Sequence, residues 1–255
     1  MSGHSKWSKI KRAKASNDAK RGRIWSKLAR RIIVAAKAGG GNPDENLTLR
    51  YAIDDAKSAN MPKDTIEKAV KKGTGELGTT SYEQTVYEGY GPGGVAFIVE
   101  CLTDNRNRTA SDIRKIFERA GGQLGASNCV AWMFDQKGSF VVSSDVADEE
   151  TLIEVALEAG ADDIETEGDA FEITCPLNAF SGVKSALAEK NIETVSAQIA
   201  MVPKSTVAVE ADKAKAALNL AEAFEDHDDV QNVYTNFDLP DDLLQKATAA
   251  AKNGG

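Results

Sequence analysis

The sequence predicts an α+β protein of three domains: an N-terminal helical bundle, an α/β middle domain, and a ferredoxin-like β-α-β-β-α-β domain inserted in the middle one. Three observations predict this. Helical periodicity broken by glycine and proline stops fills residues 23–73. Two β-rich runs flank "GYGPGG" and lead into a helix. The order strand, helix, hairpin, helix, strand then fills residues 138–203, and one helix and one strand are left over after 204.

From Arg23 to Ala38, Ile24, Trp25, Leu28, Ile32, Ala35 and Ala36 fall on one helical face, and Arg23, Lys27, Arg30, Arg31 and Lys37 fall on the other. "AGGGNP" stops this helix, and Asn42 is read as the cap of the next, with Pro43 at its first position and Glu45 three residues on. A third helix runs from Pro62 to Gly73, with Lys71 and Lys72 where cations suit the helix dipole. "GTGELG" matches GxGxxG literally, but it follows a helix and precedes a strand, so it is read as a linker. "GYGPGG" is read as a hairpin turn, because no Walker-type lysine follows.

"NRNRTASDIRKIFERAGG" is read as a helix capped by Thr109, and "CVAWMF" as a strand. The predicted domains are 1–78, with a mobile arm over residues 1–20; 79–137 joined to 204–240; the insert at 138–203; and a frayed tail at 241–255. The insertion follows from counting strands: 79–137 is incomplete without the helix and strand after 204.

Charge is unevenly placed. Residues 1–72 hold 18 Lys and Arg against 7 Asp and Glu, a net of +11 in a chain of net −8. The remainder holds 13 against 32, a net of −19. Eleven cations and one acid precede position 32. Such a footprint points to a polyanion as partner, with an acidic body that repels phosphate and orients the basic end. That acidic part offers a surface for a protein partner, or serves only for orientation.

Several function classes are disfavoured. The apolar stretches are too short to span a bilayer, and the basic N-terminus lacks the apolar core of a secretory signal. A transit peptide would share the basic, acid-poor composition, but the run merges into a patterned helix; a cytoplasmic location is expected. Three scattered cysteines (Cys101, Cys129, Cys175) read as free thiols of a reducing compartment. The two histidines, His4 and His227, have neither metal-ligand spacing nor triad partners, so no metal, cofactor or catalytic residue is expected. Glu222, Glu225, Asp226, Asp228 and Asp229 read as a solvated helix end.

The segments "GHSKW", "IKRAKASNDAKRG", "AAKAGGGNPDENLTLRYAI", "NMPKDTIEKAV", "YEGYGPGGVAFIVECLTDNRNRT" and "DDVQNVYTNFDL" resemble the YebC/PmpR family of bacterial proteins over nearly the whole chain. That family includes the mitochondrial translational activator of cytochrome c oxidase subunit I. The resemblance implies the same three-domain architecture. It also implies a non-enzymatic regulator of gene expression, either a DNA-binding transcriptional regulator or a ribosome- or RNA-associated translation factor.

The expected nucleic-acid-binding residues are Lys6, Trp7, Lys9, Lys11, Arg12, Lys14, Lys20, Arg21, Arg23, Lys27, Arg30, Arg31, Arg106 and Arg108. The cations neutralise phosphates and release counterions. Trp7 has two readings, a stacking group for an unpaired base or a cap on the bundle core. Arg106 and Arg108 also have two, a phosphate site near a helix N-terminus or ties that fix the loop.

Overall fold

A computed structural model of the 255-residue chain describes residues 18–78 and 81–238. The expected mobile arm, apart from its last residues, and the tail at 241–255 lie outside the described residues. Three helices come first: α1 (Asp18–Gly39), α2 (Leu47–Ser58) and α3 (Lys63–Thr74). Their core is Leu28, Ile32, Ile33 and Ala36 of α1 against Leu49, Ala52 and Ala56 of α2 and Ile66 and Ala69 of α3. Trp25 packs at the rim and donates its indole N–H to the Ala59 carbonyl at 3.0 Å, as its place on the apolar face predicts.

Asn46, not Asn42, caps α2. Its side-chain oxygen accepts from the Leu49 N–H at 3.1 Å, and its Nδ2 donates to the carbonyls of Ala35 and Gly40 at the end of α1. A buried amide that serves two helix ends at once outcompetes Asn42, whose carbonyl instead accepts from the Asn46 N–H in the preceding turn. Gly73 lets α3 approach α1: a Cβ there would lie 2.6 Å from the Ile33 carbonyl oxygen.

The first sheet, in the order β3-β1-β2-β9, contains β1 (Glu83–Tyr90), β2 (Ala96–Thr103), β3 (Gln123–Leu124) and β9 (Val230–Thr235). "GYGPGG" is the β1–β2 turn, with Tyr90 opposite Ala96 and Glu83 opposite Thr103. One face carries α4 (Arg106–Arg119) and α7 (Ala211–Glu225), and Phe97, Phe117 and Phe224 meet there with ring centroids 4.8–6.1 Å apart. Such edge contacts add about 1 kcal/mol each beyond burial.

The other face of β2, through Ala96 and Ile98, packs with Tyr234 on Val130, Phe134 and Ala200. Burial on both faces explains why "VAFIVECL" is apolar without alternation. Burial chiefly pushes the Cys101 thiol in this strand up to about 12, so it packs as an unreactive apolar group.

The second sheet contains β4 (Phe134–Ser143), β5 (Asp163–Glu167), β6 (Ala170–Cys175) and β7 (Thr194–Pro203), in the order β5-β6-β4-β7. With α5 (Glu149–Glu158) and α6 (Phe180–Glu189) on one face, this is the ferredoxin-like arrangement. β4 crosses Gly138 unbroken, and Phe134 already pairs with Pro203. A short parallel pair, β8 (Val207–Ala208) with β10 (Phe237–Asp238), closes the return to the first sheet.

The expected strand "CVAWMF" is mostly a 3₁₀ turn, Ala131–Met133, and only Phe134 enters β4. The cause is Glu88, buried on β1, whose carboxylate accepts the N–H groups of Asn128, Val130 and Ala131 at 2.7–2.9 Å. A carboxylate that collects three N–H groups draws the backbone into a loop, where a ladder would splay them. Glu88→Ala orphans all three, and a destabilisation of about 3 kcal/mol is expected in urea unfolding, against about 0.5 or less for an exposed Glu.

Candidate nucleic-acid interface

The basic face of α1 is built as the sequence predicts, but most of it meets acids of the same chain. Along α1 the cations Arg23, Lys27 and Arg30 recur at intervals of four and three residues, which stacks them on one face. Opposite them lies the end of α7 and the turn before β9. Arg23 pairs with Asp226. The Lys27 ammonium donates to the Glu225 carbonyl at 2.7 Å, with the Glu225 carboxylate 3.5 Å away. Arg30 donates to the Asp228 carbonyl and, at 2.8 Å, to the Asp229 carboxylate. The Lys27 and Arg30 side chains keep only 14% and 18% of their exposure. Arg31 pairs with Asp55 of α2 at 2.9 Å.

Of these acids, Glu225 and Asp229 are therefore not part of a solvated helix end, while Asp226 and Asp228 stay exposed. Asp229 retains 4% exposure and joins three parts of the fold. Its carboxylate accepts from Arg30, from Arg108 at 3.0 Å and from the Thr109 hydroxyl at 2.7 Å. Its carbonyl accepts from the Leu102 N–H at 2.8 Å. Burial raises the Asp229 carboxyl, but the hydrogen bonds from Thr109 and Arg108 and the charge of Arg30 outweigh it, so its pKa lies below the ordinary carboxylate value.

The same network corrects the start of α4. Asn105 is the cap, accepting from the Arg108 N–H at 3.1 Å, and Thr109 sits one turn inside the helix, buried. Thr109 is needed there for its hydroxyl, which also lies 2.7 Å from that of Thr103. Arg108 bridges Asp104 and Asp229, so in this structure it ties down the "DNRNRT" loop. Arg106 is exposed and has no ion pair among the described residues.

The remaining expected residues divide by position. Lys6, Trp7, Lys9, Lys11, Arg12 and Lys14 lie outside the described residues. Lys20 and Arg21 stand on the first turn of α1. The sequence reading missed Lys68, Lys71 and Lys72 as a group. They are exposed on α3 and have no ion pairs among the described residues. Their spacing of three and four residues was the available signal.

Among the described residues, no three His, Cys, Asp or Glu side chains are grouped to hold a metal ion. A cleft of about 350 Å³ beside the second sheet is lined by Lys137, Asp163, Glu165, Thr174 and Lys204 among others, with no thiol or imidazole in its lining. No helix among the described residues is long and apolar enough to cross a membrane.

Comparison with known proteins places this architecture. The model of the TACO1/YebC protein N-terminal domain matches residues 5–76, and that of the TACO1/YebC second and third domain matches residues 82–237. A Dictyoglomus turgidum protein named "Probable transcriptional regulatory protein" is 52% identical over 96% of this chain and 99% of its own length. One of the same name from Desulfatibacillum aliphaticivorans is 53% identical over 96% and 99%. The crystal structure of the conserved hypothetical protein Aq1575 from Aquifex aeolicus superposes with a TM-score of 0.82 at 45% identity, covering 88% of this chain and 92% of that one. With both family models matched and half of its residues shared with full-length relatives, the chain belongs to the TACO1/YebC family.

Proposed function

We propose that this protein is a non-enzymatic regulator of gene expression that binds nucleic acid through phosphate contacts of its basic N-terminal segment, with DNA as the polymer and transcription as the process. The observation that carries the reading is the density of charge: eleven cations and one acid in the first 31 residues of an otherwise acidic chain. Lysine and arginine at that density supply affinity by counterion release, independent of sequence. The names of its relatives support the regulatory role.

A second reading, an RNA- or ribosome-associated translation factor, is kept open by one feature of α1 that weakens the case for base reading. A major-groove reader needs a helix that is free to enter the groove with base-reading side chains. Here the polar face of α1 is turned to α7 and offers only Lys and Arg. Backbone contacts of that kind suit either polymer.

Binding titrations over a range of salt concentrations, on duplex DNA and on ribosomes in parallel, test the proposal. A transcriptional regulator keeps a preference among DNA sequences at high salt, after the backbone attraction is screened. A ribosome factor shows no DNA preference and retains salt-resistant binding to ribosomes. Arg106→Ala is expected to change the log–log salt slope by about one at most, the value of a single phosphate contact.

A further inference from the structure

The joint between α1 and the end of α7 is polar, while Tyr82, just before β1, packs on the bundle core with the Arg30 guanidinium 5.5 Å from its ring centre. The apolar core of the bundle and that beneath the first sheet are separate clusters with no shared residue. What crosses from α1 to the α7 end is Arg23 to Asp226, Lys27 to Glu225, and Arg30 to Asp228 and Asp229. On another side, the Lys184 ammonium of α6 sits 4.4 Å from the centre of the Tyr51 ring of α2. A joint of this composition is sensitive to salt and to competing polyanions in a way that an apolar joint is not.

The spacing matters as much as the sign. Arg23 to Arg30 covers about 10 Å of helix axis, at about 1.5 Å per residue. Phosphates of one strand recur about every 3.4 Å along a duplex axis, so the same length covers about three phosphate intervals. Glu225, Asp226 and Asp229 present three carboxylates to those three cations, with two backbone carbonyls between them.

We infer that the acidic turn 225–229 is an internal stand-in for a phosphate backbone. It keeps the basic face of α1 covered until a nucleic-acid strand displaces it and the bundle swings away. This rests on the reading that the protein's partner is nucleic acid. Affinity in the free protein is then set by the fraction of molecules with the joint open, and weakening the acids raises that fraction. Asp229 has a second role, holding α4 through Arg108 and Thr109. Glu225 and Asp226 are therefore the positions at which the latch is separable from the fold.

The test uses the full chain with Glu225→Gln and Asp226→Asn together, titrated against a 20-base-pair DNA duplex and an RNA hairpin of equal phosphate number. The control is Glu149→Gln with Glu150→Gln, which removes the same charge at the start of α5, outside the joint. The latch predicts binding about tenfold tighter than wild type for the 225/226 variant, a salt slope steeper by about two, and no comparable gain in the control. If wild type binds and the 225/226 variant binds no tighter, the latch is wrong and the functional reading stands. An equal gain in the control assigns the effect to bulk charge and also overturns the latch. Should neither protein bind either polymer, both ideas fail.

Discussion

Replacing Lys9, Lys11, Arg12 and Lys14 together by alanine is expected to remove most of the salt dependence of nucleic-acid binding. Six phosphate contacts give a log–log slope of about −5 on duplex DNA, and loss of four leaves about −2. Between 50 and 200 mM salt, the wild-type affinity then falls about a thousandfold and that of the variant by little more than about tenfold. The cations of α1 make less clean tests. Arg23, Lys27, Arg30 and Arg31 have acidic neighbours within the chain, so their removal disturbs the joint or the bundle as well as any contact with phosphate. A quadruple variant that binds DNA and ribosomes as tightly as wild type at every salt concentration would show that the N-terminal charge is only a solvated face.

The parts of the fold that local chemistry determines were legible in the sequence. The α1 apolar stripe, the glycine-rich hairpin and the β-α-β-β-α-β order each follow from periodicity and turn residues within a short window. The errors share one physical cause, side chains with partners distant in the sequence. Asn42 is the local cap candidate, and Asn46 displaces it because its value lies in reaching back to Ala35 and Gly40. "CVAWMF" has the composition of a strand, and Glu88, forty residues upstream, folds it into a loop. The sequence assigns the basic face of α1 to phosphate and the acids 222–229 to solvent, because nothing local joins residues 198–203 positions apart. A matching pattern was present, Arg23, Lys27 and Arg30 against Glu225, Asp226 and Asp229. Opposite signs at compatible spacing in one chain are a reason to test for self-pairing before assigning either face to a partner.

Asp229→Asn is expected to cost as much stability as Glu88→Ala. The carboxylate is nearly excluded from water and meets two guanidinium groups and a hydroxyl. Burying it is costly in itself, and the pairing offsets that cost only while both partners are present. An asparagine keeps the size and can still accept from Thr109, but it is neutral, and its amide N–H groups would face Arg30 or Arg108, donor against donor. Arg30 then remains beside the first sheet without a counter-charge, Arg108 keeps only Asp104, and a loss of about 3 kcal/mol is expected at pH 7, read as a shift in urea midpoint. The pH dependence has a definite sign. Because the folded carboxyl titrates below its ordinary value of 3.8, its contribution is fully present above that value and disappears as pH falls through the lower folded pKa. The gap between wild type and variant should therefore stay constant from neutrality to about pH 5 and close in more acidic solution. A gap that widens toward acid, or a variant as stable as wild type at pH 7, would mean that Arg30 and Arg108 do not depend on Asp229, and that the bundle is held to the first sheet by other contacts.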